Sequence, residues 1–453
     1  MPNASIPATI AKYLGQRAPR YTSYPTAPHF TPAITATAYR RWLETLPEDA
    51  TLSLYLHIPF CRKMCWYCGC NMQVINRHEP VTAYVETLLE EIASVARALG
   101  GSRRVRHIHF GGGTPNTLSA RDLLHIDEGL RRAFDVDDDA EIAVELDPRT
   151  TAADLPRTLA AIGCTRVSIG VQDFDVGVQW AINRVQPVEM VRKLIDELRE
   201  RDVEAVNLDL MYGLPHQTVQ GLAQTIDTSV ALRPDRFALF GYAHVPWMAK
   251  NQAMIDVEAL PREEMRYLMG ESAAKALNSN GYDRVGIDHF ARPEDSLAHA
   301  AKAGTLRRNF QGYTADEGDI LLGFGASAVS SLPQGYVQNA VRTDAYASAV
   351  SSTGFGTVKG RAVDRFDLAC RAIIEAIMCQ RPVNPARVAK DMSVSPSSLT
   401  DRPGLRALEE DGLIVWDRGT LVLSEAGKRL SRNVAAAFDC YLSTAEARHS
   451  KAV

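Results

Sequence analysis

Three cysteines stand close together at Cys61, Cys65 and Cys68, in the order C-x3-C-x2-C. A short loop with three thiolates can ligate three irons of a cubane 4Fe–4S cluster and leave the fourth iron open to an outside ligand. A structural zinc site instead takes four ligands, usually as two separated pairs. Cys70 could complete such a set, although four ligands crowded into so short a stretch would be unusual spacing. A redox C-x-x-C motif would leave Cys61 unexplained. The spacing favours the three-thiolate cluster, and Cys61, Cys65 and Cys68 are its expected metal ligands. Cys164, Cys370, Cys379 and Cys440 are scattered and fit the ordinary role of a buried free thiol.

A cluster loop needs a frame. Apolar strand patterns at 52–57, 105–110, 141–146, 165–170, 204–210 and 236–242 alternate with helical patterns near 80–99, 119–134, 151–162, 187–201, 218–232 and 261–280. Between 187 and 201, Val188, Val191, Leu194, Ile195 and Leu198 recur at helical spacing among charged residues. Pro80, Gly100, Pro148, Gly163, Pro187 and Pro234 punctuate the junctions. Six strands alternating with helices predict a parallel α/β sheet, open or curved into a partial barrel. Periodicity does not choose between the two.

The strand ends carry chemistry. The first strand runs into the cysteines and the second into Gly111-Gly112-Gly113-Thr114. Glu145 closes the third, Gln172 and Asp173 follow the fourth, Asp209 lies near the end of the fifth, and Tyr242, Ala243 and His244 end the sixth. In a βα barrel the reacting groups gather at the C-terminal ends of the strands. Six such ends in a row read as the rim of one active site.

Composition sets outer bounds. The chain has 453 residues, 46% apolar and 23% charged, enough for one large catalytic domain and a smaller one. A net charge of −4 argues against a general nucleic-acid or membrane-surface binder. No apolar run approaches the length of a membrane span, and the N-terminus lacks the marks of a signal peptide. A cytoplasmic protein is expected, with no nucleic acid and no membrane among its partners.

Cys61-Arg-Lys-Met-Cys65-Trp-Tyr67-Cys68 resembles the signature of the radical S-adenosylmethionine superfamily, with an aromatic residue before the third cysteine. The wider context is similar to its oxygen-independent coproporphyrinogen III oxidase (dehydrogenase) family. The matching segments include PRYTSYPTAPHF at 19–30, YLHIPFC at 55–61, CGCN at 68–71, HFGGGTPN at 109–116 and VELDPR at 144–149. SIGVQDF at 168–174, NLDLMYGLP at 207–215, GYAH at 241–244, DHFARPED at 288–295, RNFQGYT at 308–314 and GFGASAVS at 323–330 continue the set. The resemblance implies anaerobic oxidative decarboxylation of the ring A and B propionates of coproporphyrinogen III to the vinyl groups of protoporphyrinogen IX, in heme biosynthesis. It implies hydrogen abstraction by a 5′-deoxyadenosyl radical, a 4Fe–4S cluster, two S-adenosylmethionine molecules, and an electron donor such as a flavodoxin or ferredoxin. It also resolves the fold class: α/β, a curved parallel-sheet partial (β/α)6 TIM-like barrel with a smaller, mostly helical C-terminal domain.

The resemblance assigns roles to individual positions. Gly112, Gly113 and Thr114 would hold the methionine end of S-adenosylmethionine, with glycine letting backbone amides come close. Glu145 and Asp209 suit ribose hydroxyls and cationic groups of the cofactor. Tyr55, Tyr67, Gln172, Arg184, Ala243 and Val329 match cofactor-contacting positions, and Arg184 could pair with the cofactor carboxylate. Tyr55, His57 and Cys70 are the catalytic candidates. Cys70 is expected beside the second cofactor or the substrate and not on iron, while a structural histidine is the plain alternative for His57. The substrate carries four carboxylates, and Arg20, Arg307 and Arg308, each near aromatic residues, are candidates to meet them.

Three segments are expected: residues 1–35 closing the active site, the barrel over 36–361, and a lid over 362–453. The first precedes the first barrel strand and carries no expected core element. The last combines helices with the hairpin pattern of a winged helix. Asp401, Glu409, Glu410 and Asp411 on or beside the would-be recognition helix oppose DNA binding. A related heme-binding or heme-transfer protein is the rival reading, disfavoured by PRYTSYPT, CGCN and RNFQGYT. A monomer is expected.

Overall fold

The structure is a computed structural model that describes residues 6–442. Seven parallel strands form its centre: β1 (Leu52–Ile58), β2 (Arg104–Gly112), β3 (Asp135–Leu146), β4 (Arg166–Gln172), β5 (Ala205–Tyr212), β6 (Arg236–Gly241) and β7 (Ile320–Phe324). They lie side by side in the order β7-β1-β2-β3-β4-β5-β6. Six were expected. The seventh pairs with the outer edge of β1, Leu52 opposite Ile320; it is a short apolar run, Ile320-Leu321-Leu322-Gly323-Phe324, interrupted by a glycine. Antiparallel strands extend both edges, Val329–Leu332, Gly335–Asn339 and Thr357–Ala362 on one side, His289–Ala291 and Asp283–Val285 on the other. The two edges do not pair with each other, so the barrel stays open.

Strand order decides the architecture. β1 to β6 follow one another in space as in sequence, and βαβ crossovers are right-handed. Every helix then falls on the same face, as in a barrel; a doubly wound sheet needs a reversal of order. Helices α1 (Glu79–Leu99), α2 (Ala120–Ala133), α3 (Leu155–Ala161) and α4 (Val188–Arg199) pack each against the next, as do α5 (Val219–Ala231) and α6 (Glu263–Ser279). In α4 the expected stripe is buried at Val191, Leu194, Ile195 and Leu198. α2 starts on a capping box between Ser119 and Asp122.

The face turned away from the helices is polar. Toward the starts of the strands, Arg166 reaches Glu141 at 3.3 Å and Asp295 at 3.5 Å, and Arg236 reaches Asp295 at 2.6 Å. His107 stands 3.3 Å from Glu141. These groups occupy the end of the barrel opposite the cysteine loop, where unpaired charges would be costly.

The two ends of the chain share a core. Ile10, Tyr13, Leu14, Tyr21 and Tyr24 cluster with Ile373, Ile377, Leu408, Val434 and Phe438. Arg432 Nε donates to the Pro19 carbonyl at 2.9 Å, and Tyr21 Oη lies 3.1 Å from Asp439 Oδ2. The N-terminal segment thus carries core residues, against expectation. Its tyrosines sit among prolines and threonines with no helical or strand period, so the pattern gave no hint of their burial. Toward the C-terminus, helices Arg365–Met378, Pro385–Asp391 and Leu405–Glu410 precede the hairpin Ile414–Asp417 and Thr420–Leu423, the helix-and-hairpin module expected. Residues 1–5 and 443–453 of the two end segments lie outside the described residues.

Candidate active site

The cysteine loop leaves β1 through Pro59 and Phe60 and is pinned from several sides. Asn251 Nδ2 donates to the carbonyls of Cys65 at 3.0 Å and Cys68 at 2.8 Å. Gln252 Nε2 donates to the Tyr67 carbonyl at 2.7 Å. The Trp66 amide donates to Ile182 O at 3.0 Å, and Asn183 Nδ2 to Met64 O at 2.8 Å. Loop carbonyls that would otherwise face water at one angle or another are therefore fixed.

Each of the three sulfurs also has a partner. Cys61 Sγ lies 3.2 Å from Thr114 Oγ1. Cys65 Sγ accepts from Arg149 Nη2 at 3.0 Å and Arg184 Nη1 at 3.3 Å. Cys68 Sγ accepts from the Cys70 amide at 3.4 Å. Burial pushes the Cys61 thiol up to about 12 despite Thr114; the hydrogen bond from Cys70, against burial, brings Cys68 down to about 7. Among the described residues no three His, Cys, Asp or Glu side chains converge where one metal ion could sit. A cubane gives each thiolate its own iron, so spaced sulfurs that each accept a hydrogen bond fit a 4Fe–4S cluster better than a zinc knot.

Cys61, Cys65 and Cys68 line a cavity of about 890 Å³ together with Cys70, Tyr67, Gly112, Gly113, Thr114, Glu145, Gln172, Arg184, Asp209, Ala243 and Arg20. Fourteen of the residues singled out in the sequence thus meet at one place, contributed by the N-terminal segment, the cysteine loop after β1 and the ends of β2 to β6 with the loops that follow them. Residues 18–23 and 26–28 form part of its wall. Gln172 takes a left-handed φ of 68° where the β4–β5 register slips between Gly170 and Gln172, an irregularity of the kind found beside active sites.

The glycine loop works differently from expectation. The Gly112 amide donates to Glu145 Oε2 at 3.2 Å and the Gly113 amide to the Ile58 carbonyl at 2.9 Å. Neither amide is left for a ligand. What the glycines supply is room: a Cβ on Gly112 would stand 2.8 Å from the His57 ring, and one on Gly113 2.8 Å from the Phe60 carbonyl. Glu145 is also held by His109 Nε2 at 3.0 Å.

Tyr55 and His57 stand behind that wall and do not line the cavity. His57 Nε2 faces the Asn71 carbonyl at 2.9 Å and Nδ1 the Tyr55 hydroxyl at 3.0 Å. Burial lowers the His57 pKa, so the ring is neutral, donating through Nε2 and accepting from Tyr55. Tyr55 in turn stacks on His109 at 5.8 Å. Val329 is buried against Phe30 and Tyr336, with its backbone across from Gly323, the β7 residue opposite Tyr55. Asp173, beside Gln172, is fully buried and bonded to Thr225 and Gln217, an anchor for the following helices.

Asp209 is the carboxylate with the most unusual environment. Burial, with help from Glu145, raises it to about 6 even though Ser168 and Asn207 donate to it. Asp147 goes the other way: burial alone would raise it, but Arg184 and Arg149 outweigh that and hold it at about 2. Asp147, Arg149, Asn251 and Gln252 were not singled out in the sequence. The first two lie in VELDPR, where two opposite charges just past a strand end are a readable signal; the last two sit in a loop with none. Of the three candidate anchoring arginines, Arg20 and Arg308 line a common neighbouring cavity, whereas Arg307 faces a different one and donates to Gly318 O at 2.9 Å.

Residues 55–228 match the Radical SAM superfamily. An oxygen-independent coproporphyrinogen III oxidase of Bradyrhizobium diazoefficiens is 47% identical over 442 residues, covering 97% of this chain and 98% of that one. One from Paracoccus denitrificans is 42% identical over 437 residues, covering 96% and 97%. Among solved structures, coproporphyrinogen III oxidase from Escherichia coli, described as a radical SAM enzyme, superposes with a TM-score of 0.91 at 35% identity, covering 97% of this chain and 99% of that chain.

Proposed function

The chain belongs to the oxygen-independent coproporphyrinogen III oxidase family of radical S-adenosylmethionine enzymes, and from that premise we propose how its site converts coproporphyrinogen III to protoporphyrinogen IX. Two propionates, on rings A and B, each lose carbon dioxide, a hydrogen atom to the radical and an electron to an external one-electron acceptor, and so become vinyl groups. The 4Fe–4S cluster and S-adenosylmethionine supply, when bound, one-electron cleavage of the sulfonium and a hydrogen-abstracting 5′-deoxyadenosyl radical.

The residues do the rest. Cys61, Cys65 and Cys68 hold three irons. Arg149 and Arg184 beside Cys65 offset the negative charge that thiolate ligation concentrates there. Glu145, oriented by His109 and the Gly112 amide, receives the cofactor's amino group or ribose, and Asp209 faces it from β5. Gln172, Arg184 and Ala243 line the space for a second cofactor molecule. Tyr55 and His57 act as positioning residues for the strand and loop, and Cys70 lies beside the cofactors without ligating iron. Residues 18–28 shield the cavity from water, which a carbon-centred radical requires. A flavodoxin or ferredoxin delivers the electron, and the monomer is the working unit.

The observation that carries this reading is the convergence of three thiol ligands and the polar ends of β2 to β6 on one cavity. The test is anaerobic cluster reconstitution followed by incubation with S-adenosylmethionine, a reductant and coproporphyrinogen III. Protoporphyrinogen IX and two carbon dioxide molecules per substrate are expected. Tight heme binding without porphyrinogen consumption would favour the heme-transfer reading instead.

A further inference from the structure

Beside the cysteine cavity lies another of about 620 Å³. The two share Arg20, Thr22, Phe240, Tyr242 and Ala243, so one ligand can reach into both. The charge of the smaller cavity is lopsided, with seven arginines in its wall against two carboxylates, Glu271 and Asp288. Both carboxylates are already engaged. Glu271 holds Arg429 at 2.8 Å and Arg284 at 3.8 Å. Asp288 lies 2.7 Å from His289 Nδ1, and His289, Arg308 and Arg20 overcome its burial to keep it at about 2.

Arg266 and the inner nitrogens of Arg308 are less fully satisfied. The guanidinium of Arg266, on α6, makes no ion pair or hydrogen bond among the described residues; its central carbon rests 5.9 Å from the centre of the Tyr212 ring. Gly213 and Gly241 make room for it, since a Cβ on Gly213 would collide with the guanidinium. Burial lowers the Arg266 pKa, and Tyr212 and Glu263, one helical turn back, offset this only in part. Arg308 has Nε and Nη1 buried without a hydrogen-bond partner, and its Nη2 reaches the Arg20 carbonyl at 3.4 Å. Buried guanidinium donors without acceptors are costly to fold, and a bound carboxylate removes that cost.

We propose that this bay receives the two propionates of the substrate that are not decarboxylated, those of rings C and D, with Arg266 as the central anchor and Arg308 and Arg20 beside it. The proposal rests on the coproporphyrinogen reading above. In the type III isomer the C and D propionates are neighbours on one edge of the macrocycle, so a single bay can hold both while the A and B edge points into the cysteine cavity. Phe240 and Tyr242, common to both cavities, lie where the pyrrole rings would cross.

The test uses the reconstituted full-length protein and three oxidised, fluorescent porphyrins. Coproporphyrin III carries all four propionates, protoporphyrin IX only those of rings C and D, and etioporphyrin III none. Arg266→Gln is expected to weaken the first two alike, by about tenfold, because a charge-assisted hydrogen bond is lost from both; etioporphyrin binding should not change. Arg266→Lys keeps the charge and should recover part of the loss, and unchanged iron content will show that either variant is folded. Arg308→Gln should reproduce the pattern. Weakening of coproporphyrin III alone would overturn the assignment and place Arg266 at the reacting propionates. Equal affinities for wild type and both Gln variants would also overturn it. If wild-type protein neither binds coproporphyrin III nor releases carbon dioxide from coproporphyrinogen III, the functional reading itself fails and the bay loses its ligand.

Discussion

Arg149 Nη2 stands 3.0 Å from Cys65 Sγ, and the same nitrogen lies 2.6 Å from Asp147 Oδ2. The arginine is thus fixed by a carboxylate and aimed at a cluster ligand, with its side chain only 3% exposed. A cation there stabilises the more negative, reduced cluster. Arg149→Met is expected to shift the cluster potential downward by on the order of 50 mV, where one electron converts 59 mV to about 1.4 kcal/mol. A redox titration followed by electron paramagnetic resonance measures it. A potential that does not move would confine Arg149 to holding Asp147.

Serine at position 61, 65 or 68 should abolish iron binding, since a hydroxyl is a poor iron ligand beside a thiolate. Cys70→Ser should keep full iron content and lose turnover. Iron analysis and absorbance near the cluster band after reconstitution separate the two classes. Loss of iron from Cys70→Ser would put four cysteines on the cluster.

Gln252→Ala removes the donor to Tyr67 O and the acceptor for the Val245 amide, 2.6 Å away. Each orphaned group costs about 1–3 kcal/mol, and the cost falls on the cysteine loop. The expected outcome is faster iron loss to a chelator than in wild type, with a modest drop in melting temperature. Equal chelation rates would mean that Asn251, Asn183 and the Ile182 carbonyl suffice to hold the loop.

These loop anchors also mark the limit of what the sequence could say. β1 to β6 were legible because each is an apolar run bounded by turn residues, and the residues closing them were legible because a barrel puts its chemistry there. The place of the glycines beside the cysteines was visible, but the engagement of their amides by Glu145 and Ile58 depends on strand register. β7 escaped notice although Ile320, Leu321, Leu322 and Phe324 are apolar, because the run is only five residues long and is broken by Gly323. Asn251, Gln252 and Arg266 depend on contacts between distant segments, and no local pattern announces them.

Asp209 sits at about 6, raised by burial. Binding of a cationic cofactor needs the carboxylate ionised, so S-adenosylmethionine affinity should rise as pH passes through about 6. Stability follows the opposite sign. A carboxyl raised above its ordinary value near 3.8 contributes its stabilisation below that value, and loses it as pH climbs through about 6. Asp209→Asn should flatten both profiles between pH 4 and 7, as read by cofactor titration and by denaturant unfolding of the cofactor-free protein. A wild-type affinity profile that is flat over this interval would remove Asp209 from the cofactor site.

Deleting residues 1–24 takes Ile10, Tyr13, Leu14, Tyr21 and Tyr24 out of the core they share with the C-terminal helices. Burying a side chain of this size contributes about 1.5–3 kcal/mol, so the truncated chain should aggregate or melt far below the full-length protein. A truncated chain with an unchanged melting temperature would show that the C-terminal helices close on themselves.

The contact between Tyr21 and Asp439 spans 418 residues. On a ribosome adding about 5–20 residues per second, Tyr21 is made roughly 20–80 s before its partner exists. The sheet is finished by Ala362, yet this wall of the reaction chamber still lacks its C-terminal support until Asp439 is made. Only a finished chain can close the chamber, so a product of premature termination would carry the cysteine loop yet leave any radical chemistry exposed to water.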